Sequence, residues 1–417
     1  MQFECPKCKV ILVSDEVTEG MLVACPECGE TFECHPQVTR VKVSKVRTSG
    51  GKAKPTGGDS KSMHDKVASA IGIEKLKGFK LSELFAEVFS KHSREEVENY
   101  FTTGTEKSTP DILEVDVAWP KPWLFMRMMI ASLILFFLFW AGWKQFGNPR
   151  LLPGLMMVGS FAIPISTLVL FMELNVRRNV SLYMVARLAF LGGIFSLLIA
   201  SVLFGLDGGG LGAMSAGPIE EIAKVLAVAL VARGVKYKYK LNGLLFGAAV
   251  GVGFAVFESM GYALDWFVGV TIRGVIEVAD KTRDLGEAQY FGTFYGADAM
   301  ISVIVVRGIL SPFGHIVWSA IAGCALWRIM DGQKFQWRML CDKRFIRLFL
   351  VPVILHMIWN SPIDLPYYGK FVLVGVVGWF VCLSLVQEGL HEIAAEKSAA
   401  KEQQALTNNE MVAGEGE

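Results

Sequence analysis

The chain has 417 residues, of which 52% are hydrophobic and 19% are charged, with a mean hydropathy of +0.41 and a formal net charge of +1. Soluble domains carry fewer apolar and more charged residues, so a purely soluble protein is excluded. The apolar excess lies between about Trp123 and Val386, in long runs that are nearly free of charge. Each run is close to the roughly 20 residues needed to cross a bilayer. The composition therefore predicts a mainly α, multi-pass helical membrane protein.

The first 36 residues carry two cysteine pairs in C-x2-C spacing, Cys5 with Cys8 and, after sixteen intervening residues, Cys25 with Cys28. Two such turns present four thiolates to one tetrahedral ion, which is typical of a closed, structural zinc site. So short a segment has too little core to fold alone, and the zinc would supply the folding energy. Alternating residues at 10–13 and 21–24 suit strands. We predict a small N-terminal β zinc ribbon over 1–36.

The alternative for these cysteines is disulfides, which a reducing compartment disfavours. The opening residues, MQFECPKC, lack the charged start and apolar stretch of a secretory signal peptide. The sequence leaves the ribbon's partner open among a protein, nucleic acid and docking on the chain itself, and nucleic acid is the least expected of the three.

Two segments separate the ribbon from the membrane domain. Residues 37–62 are predicted to be a basic flexible linker, which is either a solvated tether or attracted to anionic lipids. Residues 63–120 are predicted to be a small cytosolic helical region that docks on the membrane domain or a partner. Within that region, five apolar residues share one helix face, and Ser93 with Glu96 forms a capping box that opens a second helix. The five are Leu81, Leu84, Phe85, Val88 and Phe89.

Residues 121–388 are predicted to be the membrane domain, with about eight spans. We place these at 123–143, 153–173, 183–205, 214–232, 241–267, 312–330, 345–361 and 370–387. A further apolar stretch, 297–310, is expected to be re-entrant or interfacial because it is too short to span. The polar segment 389–417 is expected to be a disordered tail.

Lys and Arg residues near the predicted membrane ends set the orientation. One side holds the N-terminal flank, the loops after the second, fourth and sixth spans, and the C-terminal tail. Fourteen Lys and Arg residues lie near the membrane on that side, against six on the other. Both termini are therefore expected in the cytosol, in what we expect to be a bacterial inner membrane.

Ionisable residues inside the predicted spans are few, and each costs roughly 2.5–3.5 kcal/mol to insert, so they mark a functional site. They lie on four spans and are Glu220, Glu221, Lys224, Glu258, His315 and His356. The polar residue Asn360 lies on the same span as His356. Because successive spans alternate in direction, all of these residues fall in the extracytoplasmic half of the bilayer. Each has a structural alternative when taken alone, such as Lys224 neutralising Glu220 or Glu258 bonding to Tyr262. Their shared depth predicts one site.

The fifth span carries Gly243, Gly247 and Gly251 at intervals of four, which gives it a smooth face for close helix packing. Glu258 stands seven residues beyond Gly251, so it lies near that packed face.

In these motifs the sequence resembles the PrsW family of intramembrane proteases, which are related to the CAAX prenyl proteases. The resemblance covers roughly residues 150–388. The family pattern opens with paired glutamates and a basic residue, which match Glu220, Glu221 and Lys224. A glycine-rich helix with a glutamate follows, which matches GLLFGAAVGVGFAVFESMGY and its Glu258.

The second half of the family pattern has an arginine before a histidine, which match Arg307 and His315, and then His-x-x-x-Asn, which matches His356 and Asn360. Ser259 departs from the pattern, because the family more often has asparagine after the glutamate. The order and spacing of these short motifs are more specific than any one of them.

The resemblance implies a peptidase that cleaves a membrane-anchored protein near the extracytoplasmic side, with a regulator such as an anti-sigma factor as the expected kind of substrate. Glu220 or Glu221 would activate a water as general base, and His315 would orient that water or carry a proton. His356 and Asn360 would donate to the developing oxyanion.

Supporting roles fall to Lys224, which would keep the second glutamate ionised, and to Glu258 and Arg307. Two glutamates and two histidines could instead bind a catalytic zinc with a water. The sequence has no H-E-x-x-H motif, so it leaves the glutamic and the metal-dependent mechanisms open.

Two other functions fit parts of the pattern. A transporter or channel would use intramembrane Glu, His and Lys groups as a proton or ion relay, but it is expected to show inverted repeats, and none are evident. The second function is that of an inactive protease retained as a sensor scaffold. The intact set of Glu, His and Asn residues argues against it.

Overall fold

The structure is a computed structural model, and it describes residues 2–4, 11–13, 22–24, 31–33, 63–74, 76, 79–207, 212–232 and 237–414. The chain divides into two units, Met1–Ser60 and Lys61–Glu417.

The first unit contains two antiparallel β-hairpins. Their strands are β1 Gln2–Glu4 with β2 Ile11–Val13, and β3 Leu22–Ala24 with β4 Thr31–Glu33. The strands agree with the alternation predicted at 10–13 and 21–24, and each C-x2-C pair stands in the sequence between the two strands of one hairpin. The four cysteines lie outside the described residues, so the zinc ribbon stays a prediction.

The second unit is helical in its described residues, as predicted. Its α-helices are α1 Met63–Ile71, α2 Arg94–Thr102, α3 Leu124–Phe146, α4 Leu152–Leu174, α5 Leu182–Arg187, α6 Gly193–Asp207, α7 Ala216–Val231, α8 Lys240–Thr282, α9 Leu285–Leu310, α10 His315–Met330, α11 Lys343–Asn360 and α12 Gly369–Gly414. A π-helical turn, Leu188–Gly192, joins α5 to α6. Short 3-10 turns lie at Leu81–Phe85, Ile112–Glu114, Pro149–Leu151, Gly212–Ser215, Ser311–Phe313, Trp337–Cys341 and Pro366–Tyr368.

Six helical segments in the described part of the chain are long and apolar enough to cross a membrane. They are Leu124–Phe146, Pro149–Leu174, Leu182–Asp207, Lys240–Thr282, Leu285–Met330 and Pro366–Asn408. The protein is therefore an integral membrane protein. The predicted fourth and seventh spans form α7 and α11, which are shorter and carry charged residues, so the count of eight stays a prediction.

Helix α8 is the most buried of the six candidate spans, and almost all of its first seventeen residues are buried. Its glycine face packs on α10, as the spacing of four predicts. A Cβ atom on Gly243 would meet Trp327 and the carbonyl of Gly323, and one on Gly251 would lie 2.6 Å from the carbonyl oxygen of His315. Close backbone approach at these glycines therefore fixes where α10 begins.

The 297–310 stretch is not a separate short segment, because these residues are the second half of the 26-residue helix α9. Its re-entrant or interfacial placement stays a prediction. Glu287 and Gln289 lower the hydropathy of the first half, which hid the length of the helix in the sequence. Helix α9 runs antiparallel to the outer part of α8, with Gly274 against Gly292. Helix α10 continues in the same direction along the inner part of α8. Helices α9 and α10 therefore run back along α8 in the same direction, one after the other. The predicted directions of the later spans do not change.

The expected disordered tail, 389–417, is wrong as far as Gly414, because α12 continues to that residue. Residues 391–407 are rich in Ala, Glu, Lys and Gln, which are strong helix formers. The helix is also held from outside. The backbone N–H of Lys240 donates to Glu392 at 2.8 Å, and Lys397 donates to the carbonyl of Val115 at 2.7 Å.

Residues 63–120 dock on the membrane helices. The predicted capping box is present, since Glu96 N–H donates to Ser93 Oγ at 3.1 Å and Ser93 N–H to Glu96 Oε2 at 2.6 Å. The predicted helix over 81–89 is only a 3-10 turn. Its continuation is prevented because Arg127 of α3 takes the carbonyls of Val88 and Ser90, which a helix would use for its own bonds.

The glycine contact between α8 and α10 can be tested by the same substitution at two positions of α8. A Cβ atom at Gly247 would meet the Ser319 carbonyl at well under the 3.0 Å that real Cβ atoms keep, whereas one at Gly261 would meet nothing within 4 Å. We expect Gly247→Ala to cost about 1–3 kcal/mol by overpacking and to lower the apparent Tm in detergent by several degrees. Gly261→Ala is expected to melt no lower than the wild type. Equal melting of the two variants would contradict the proposed packing.

Candidate active site

Helix α7 supplies two glutamates and a lysine that share one buried cluster. Lys224 Nζ lies 2.9 Å from Glu221 Oε1 and 3.4 Å from Glu220 Oε2, so the expected ion pair is present. The spacings of three and four residues place both carboxylates within reach of one ammonium group. Glu221 and Lys224 are 0% exposed and Glu220 is 6% exposed, so bulk water screens these charges little.

His315 begins α10 directly opposite the glycine face of α8. Its Nε2 atom lies 3.0 Å from Glu258 Oε2, on the far side of the ring from α7. Its Nδ1 atom lies 3.8 Å from Glu220 Oε2 and 3.0 Å from Lys224 Nζ. One ring nitrogen therefore contacts a carboxylate while the other faces the α7 cluster.

His356 of α11 repeats this arrangement from the opposite side. Its Nδ1 atom lies 3.0 Å from Glu221 Oε1, and its Nε2 atom lies 3.8 Å from Glu220 Oε2. The imidazole is buried, and the two histidine rings lie 5.1 Å apart. In each imidazole, one nitrogen thus faces Glu220 and the other contacts a second carboxylate.

Arg307 holds Glu258 in this position. Its guanidinium donates to Glu258 Oε2 and, at 3.1 Å, to Ser259 Oγ, and it lies over the ring of Tyr262 at 4.4 Å. In place of the alternative considered above, a bond between Glu258 and Tyr262, the structure has Arg307 in contact with both residues. Ser259, which departs from the family pattern, contributes the hydroxyl that fixes this arginine.

Two aromatic walls of the site were missed in the sequence. The ring of Trp318 lies 4.6 Å from that of His356, and the ring of Phe254 lies under Lys224 Nζ at 4.1 Å. Helical spacing could have found both, because Trp318 follows His315 by three residues and Phe254 precedes Glu258 by four.

Asn360 is the predicted site residue that the structure does not bring into the cluster of contacts. It is the last residue of α11, one turn beyond His356, and is partly exposed. Its side chain makes no hydrogen bond to any residue that the structure describes. The amide is therefore free to meet a ligand at the edge of the site.

Three donors are arranged so that they could hold a metal ion. Ligand atoms of Glu220, His315 and His356 all lie within 4.8 Å of one another. A neutral imidazole that donates its N–H to a carboxylate keeps one lone pair, and in both histidines that lone pair faces Glu220. Carboxylates behind metal-bound histidines are the usual outer contacts of such sites. The donor set, two nitrogens and one oxygen, fits a catalytic zinc with one position left open.

This geometry bears on choices that the sequence left open. Glu221 is fully buried, and its Oε1 atom is occupied by Lys224 and His356, so Glu220 is better placed to meet a reactant. A His356 that gives its Nδ1 proton to Glu221 has no proton on Nε2, so the geometry favours a ligand over the predicted oxyanion donor.

A model of the PrsW family of intramembrane metalloproteases matches residues 180–386. The match includes every helix that contributes to the cluster and leaves out the predicted N-terminal ribbon. No curated protein and no solved structure gives a significant match to the chain. The family match supports a peptidase over the transporter that the polar residues alone left open.

Metal content tests the two candidate zinc sites together. We expect the purified full chain to hold two zinc ions, one at the N-terminal cysteines and one at the membrane cluster, as measured by inductively coupled plasma mass spectrometry. His356→Ala should lose one ion, and replacement of Cys5 and Cys8 by serine should lose the other. His391→Ala is the matched control, because that histidine is exposed on α12, and it should keep both. A His356→Ala protein that keeps two ions would contradict the membrane site.

Proposed function

We propose that this chain, whose residues 180–386 match the model of the PrsW family of intramembrane metalloproteases, hydrolyses a peptide bond of a membrane-anchored protein at the cluster of Glu220, His315 and His356. The observation that carries the proposal is the common orientation of the two imidazoles. Each presents a lone pair to Glu220 and is fixed from behind by a carboxylate, Glu258 or Glu221. Groups fixed in this way are pre-organised for catalysis.

Glu220 is the carboxylate that we assign to the reacting atoms. The contacts of its Oε2 atom, with Lys224, His315 and His356, are those given above, and Oε1 makes none with any other described residue. Oε1 is thus placed to accept the proton of an attacking water and to pass it to the leaving amine.

Glu220, His315 and His356 would also hold the metal ion that the family name implies. When bound there, such an ion would polarise the scissile carbonyl and make a water more acidic. Glu221 and Glu258 keep the two imidazoles in the tautomer that this requires, and Lys224 and Arg307 keep those two carboxylates ionised. Asn360, whose amide makes no hydrogen bond within the described part of the chain, is assigned to the oxyanion.

The expected substrate is the membrane-spanning segment of an anchored protein, with a regulator of the anti-sigma-factor kind as our proposal. A helix hides its carbonyl groups in hydrogen bonds, so the substrate must unwind where it meets the site. The cluster lies in the predicted extracytoplasmic half of the bilayer. We therefore propose cleavage near the extracytoplasmic end of the substrate's span.

Replacing one oxygen of Glu220 tests the assignment. Glu220→Gln keeps the shape of the side chain but removes the charge and the proton acceptor, so we expect cleavage to fall to background. Asn360→Ala should retain some activity, because loss of one oxyanion donor costs roughly 10²–10³ in rate. The readout is proteomics of fragments released from membranes that contain wild-type or variant protein.

The matched control is Glu277→Gln on α8, whose carboxylate is exposed and pairs only with Lys281 among the described residues. It should cleave as the wild type does. Normal fragment release by a folded Glu220→Gln protein would overturn the proposal and would return the transporter to consideration.

A further inference from the structure

Lys224 occupies an unusual place for a lysine, at the centre of the proposed metal ligands. Its Nζ atom lies 2.9 Å from Glu221, 3.4 Å from Glu220 and 3.0 Å from His315 Nδ1, and Phe254 closes the fourth side. The side chain is fully buried, so bulk water does not compete for these contacts.

The contact between Lys224 and His315 excludes a metal ion from the same nitrogen. His315 Nε2 lies 3.0 Å from the Glu258 carboxylate, so the ring proton belongs on Nε2 and the lone pair on Nδ1. An ammonium group has only protons to offer, so Nδ1 accepts from Lys224 in this structure. A metal ion would need that same lone pair at about 2.0–2.1 Å. The lysine and the ion therefore compete for one site on His315.

We propose that Lys224 is a tethered competitor of the metal ion, which holds His315 and Glu220 together when the ion is absent and withdraws to Glu221 when it binds. This inference rests on the proposed metal site. The withdrawal needs no new partner, because Glu221 is already the nearest oxygen to the ammonium group. Lys224 would thereby lower the affinity of the site for the ion while keeping its ligands assembled.

The test measures how many zinc ions the full chain holds at a series of buffered free zinc concentrations, in nanodiscs. As free zinc increases, the number of bound ions should rise in one step for each site. The step that His356→Ala lacks belongs to the membrane site. Lys224→Met removes the positive charge at nearly constant length, and we expect it to move that step to a free zinc concentration at least about tenfold lower, since repulsion of a divalent ion is removed. Lys281→Met, at an exposed lysine of α8, should leave the step in place.

A step that stays in place in Lys224→Met, or moves to higher free zinc, would overturn the proposal and make Lys224 a support for Glu221 alone. If Lys224→Met does not fold, the double variant Lys224→Met with Glu221→Gln removes both charges of the buried pair and should show the same shift. A His356→Ala protein that lacks no step is a separate result. It would overturn the metal site itself, and this proposal with it.

An independent observation concerns three exposed apolar side chains before α2. Leu81, Phe85 and Phe89 recur at intervals of four, and they are 64%, 43% and 89% exposed. We call them the Phe89 face. Val88, between them, is buried and holds the segment in place.

The Phe89 face lies at the first turn of α3. Arg127 binds the carbonyl of Val88 at 3.0 Å, and His92 stacks on Trp123 with the ring centroids 3.6 Å apart. Trp123 immediately precedes α3, at the level where tryptophans mark the membrane interface. Only 11% of the apolar window of α3 is buried, so the surface of this helix faces lipid.

The geometry points to the Phe89 face as an interfacial anchor that inserts into the acyl-chain border of the leaflet at this end of α3. The occupant is lipid because the face lies beside the first turn of α3, with the ring centroids of Phe85 and Phe125 6.2 Å apart, and α3 is the helix whose surface faces lipid. Apolar side chains beside a charged, polar backbone segment are typical of elements that lie in the interface plane. The anchor would hold residues 63–120 against the membrane surface.

A photoreactive benzophenone amino acid at position 89 tests the anchor in the full chain in phospholipid nanodiscs. On irradiation we expect a lipid adduct on the peptide that contains residue 89, as found by mass spectrometry. The same amino acid at Leu406, which is 64% exposed on the distal part of α12, should give no lipid adduct. Equal lipid labelling at both positions, or no lipid at 89, would overturn the assignment.

Discussion

The site is organised by the balance of charge in a place that water hardly reaches. Glu220, Glu221 and Glu258 bring three carboxylates together, and Lys224 and Arg307 bring two permanent cations. A buried carboxylate without a partner is costly, so each one must touch a cation, a histidine or both. The positions of the two imidazoles follow from this requirement. Each lies between carboxylates rather than against an apolar wall alone, and this fixes which nitrogen carries the proton.

The backbone packing that permits this balance is the contact of α8 with α10. Glycine at every fourth residue of α8 lets the two helices approach until their backbones touch, which brings His315 opposite Glu258. The outer part of α8 then needs a different partner, and α9 supplies it while carrying Arg307 to the same level. The turn between α9 and α10 thus lies between Arg307, which holds Glu258 in place, and His315, which Glu258 orients.

Much of the fold and the membership of the site could be predicted because both depend on simple periodicities. Long apolar runs gave the helices of the bundle, and the alternating direction of successive spans placed residues from four helices at one depth. The contacts of each side chain could not be predicted, since which nitrogen of His356 meets Glu221 depends on a rotamer and on the rotation of α11. Composition also failed to predict the helix over 389–414, because the same kinds of residue occur in solvated helices and in disordered tails. Contacts such as that of Lys397 with Val115, which the sequence does not show, favour the helix.

The spacing on α7 explains how one short helix can serve both the charge balance and the chemistry. Adjacent helical residues point about 100° apart, so Glu220 and Glu221 approach the ring of His356 at different nitrogens. Glu220 meets the lone-pair sides of both imidazoles, and Glu221 meets the protonated side of His356. Lys224, three residues from one and four from the other, still reaches both carboxylates. A single ammonium group can therefore release Glu220 without leaving Glu221 unpaired, which is the property that a site alternating between a lysine and a metal ion requires.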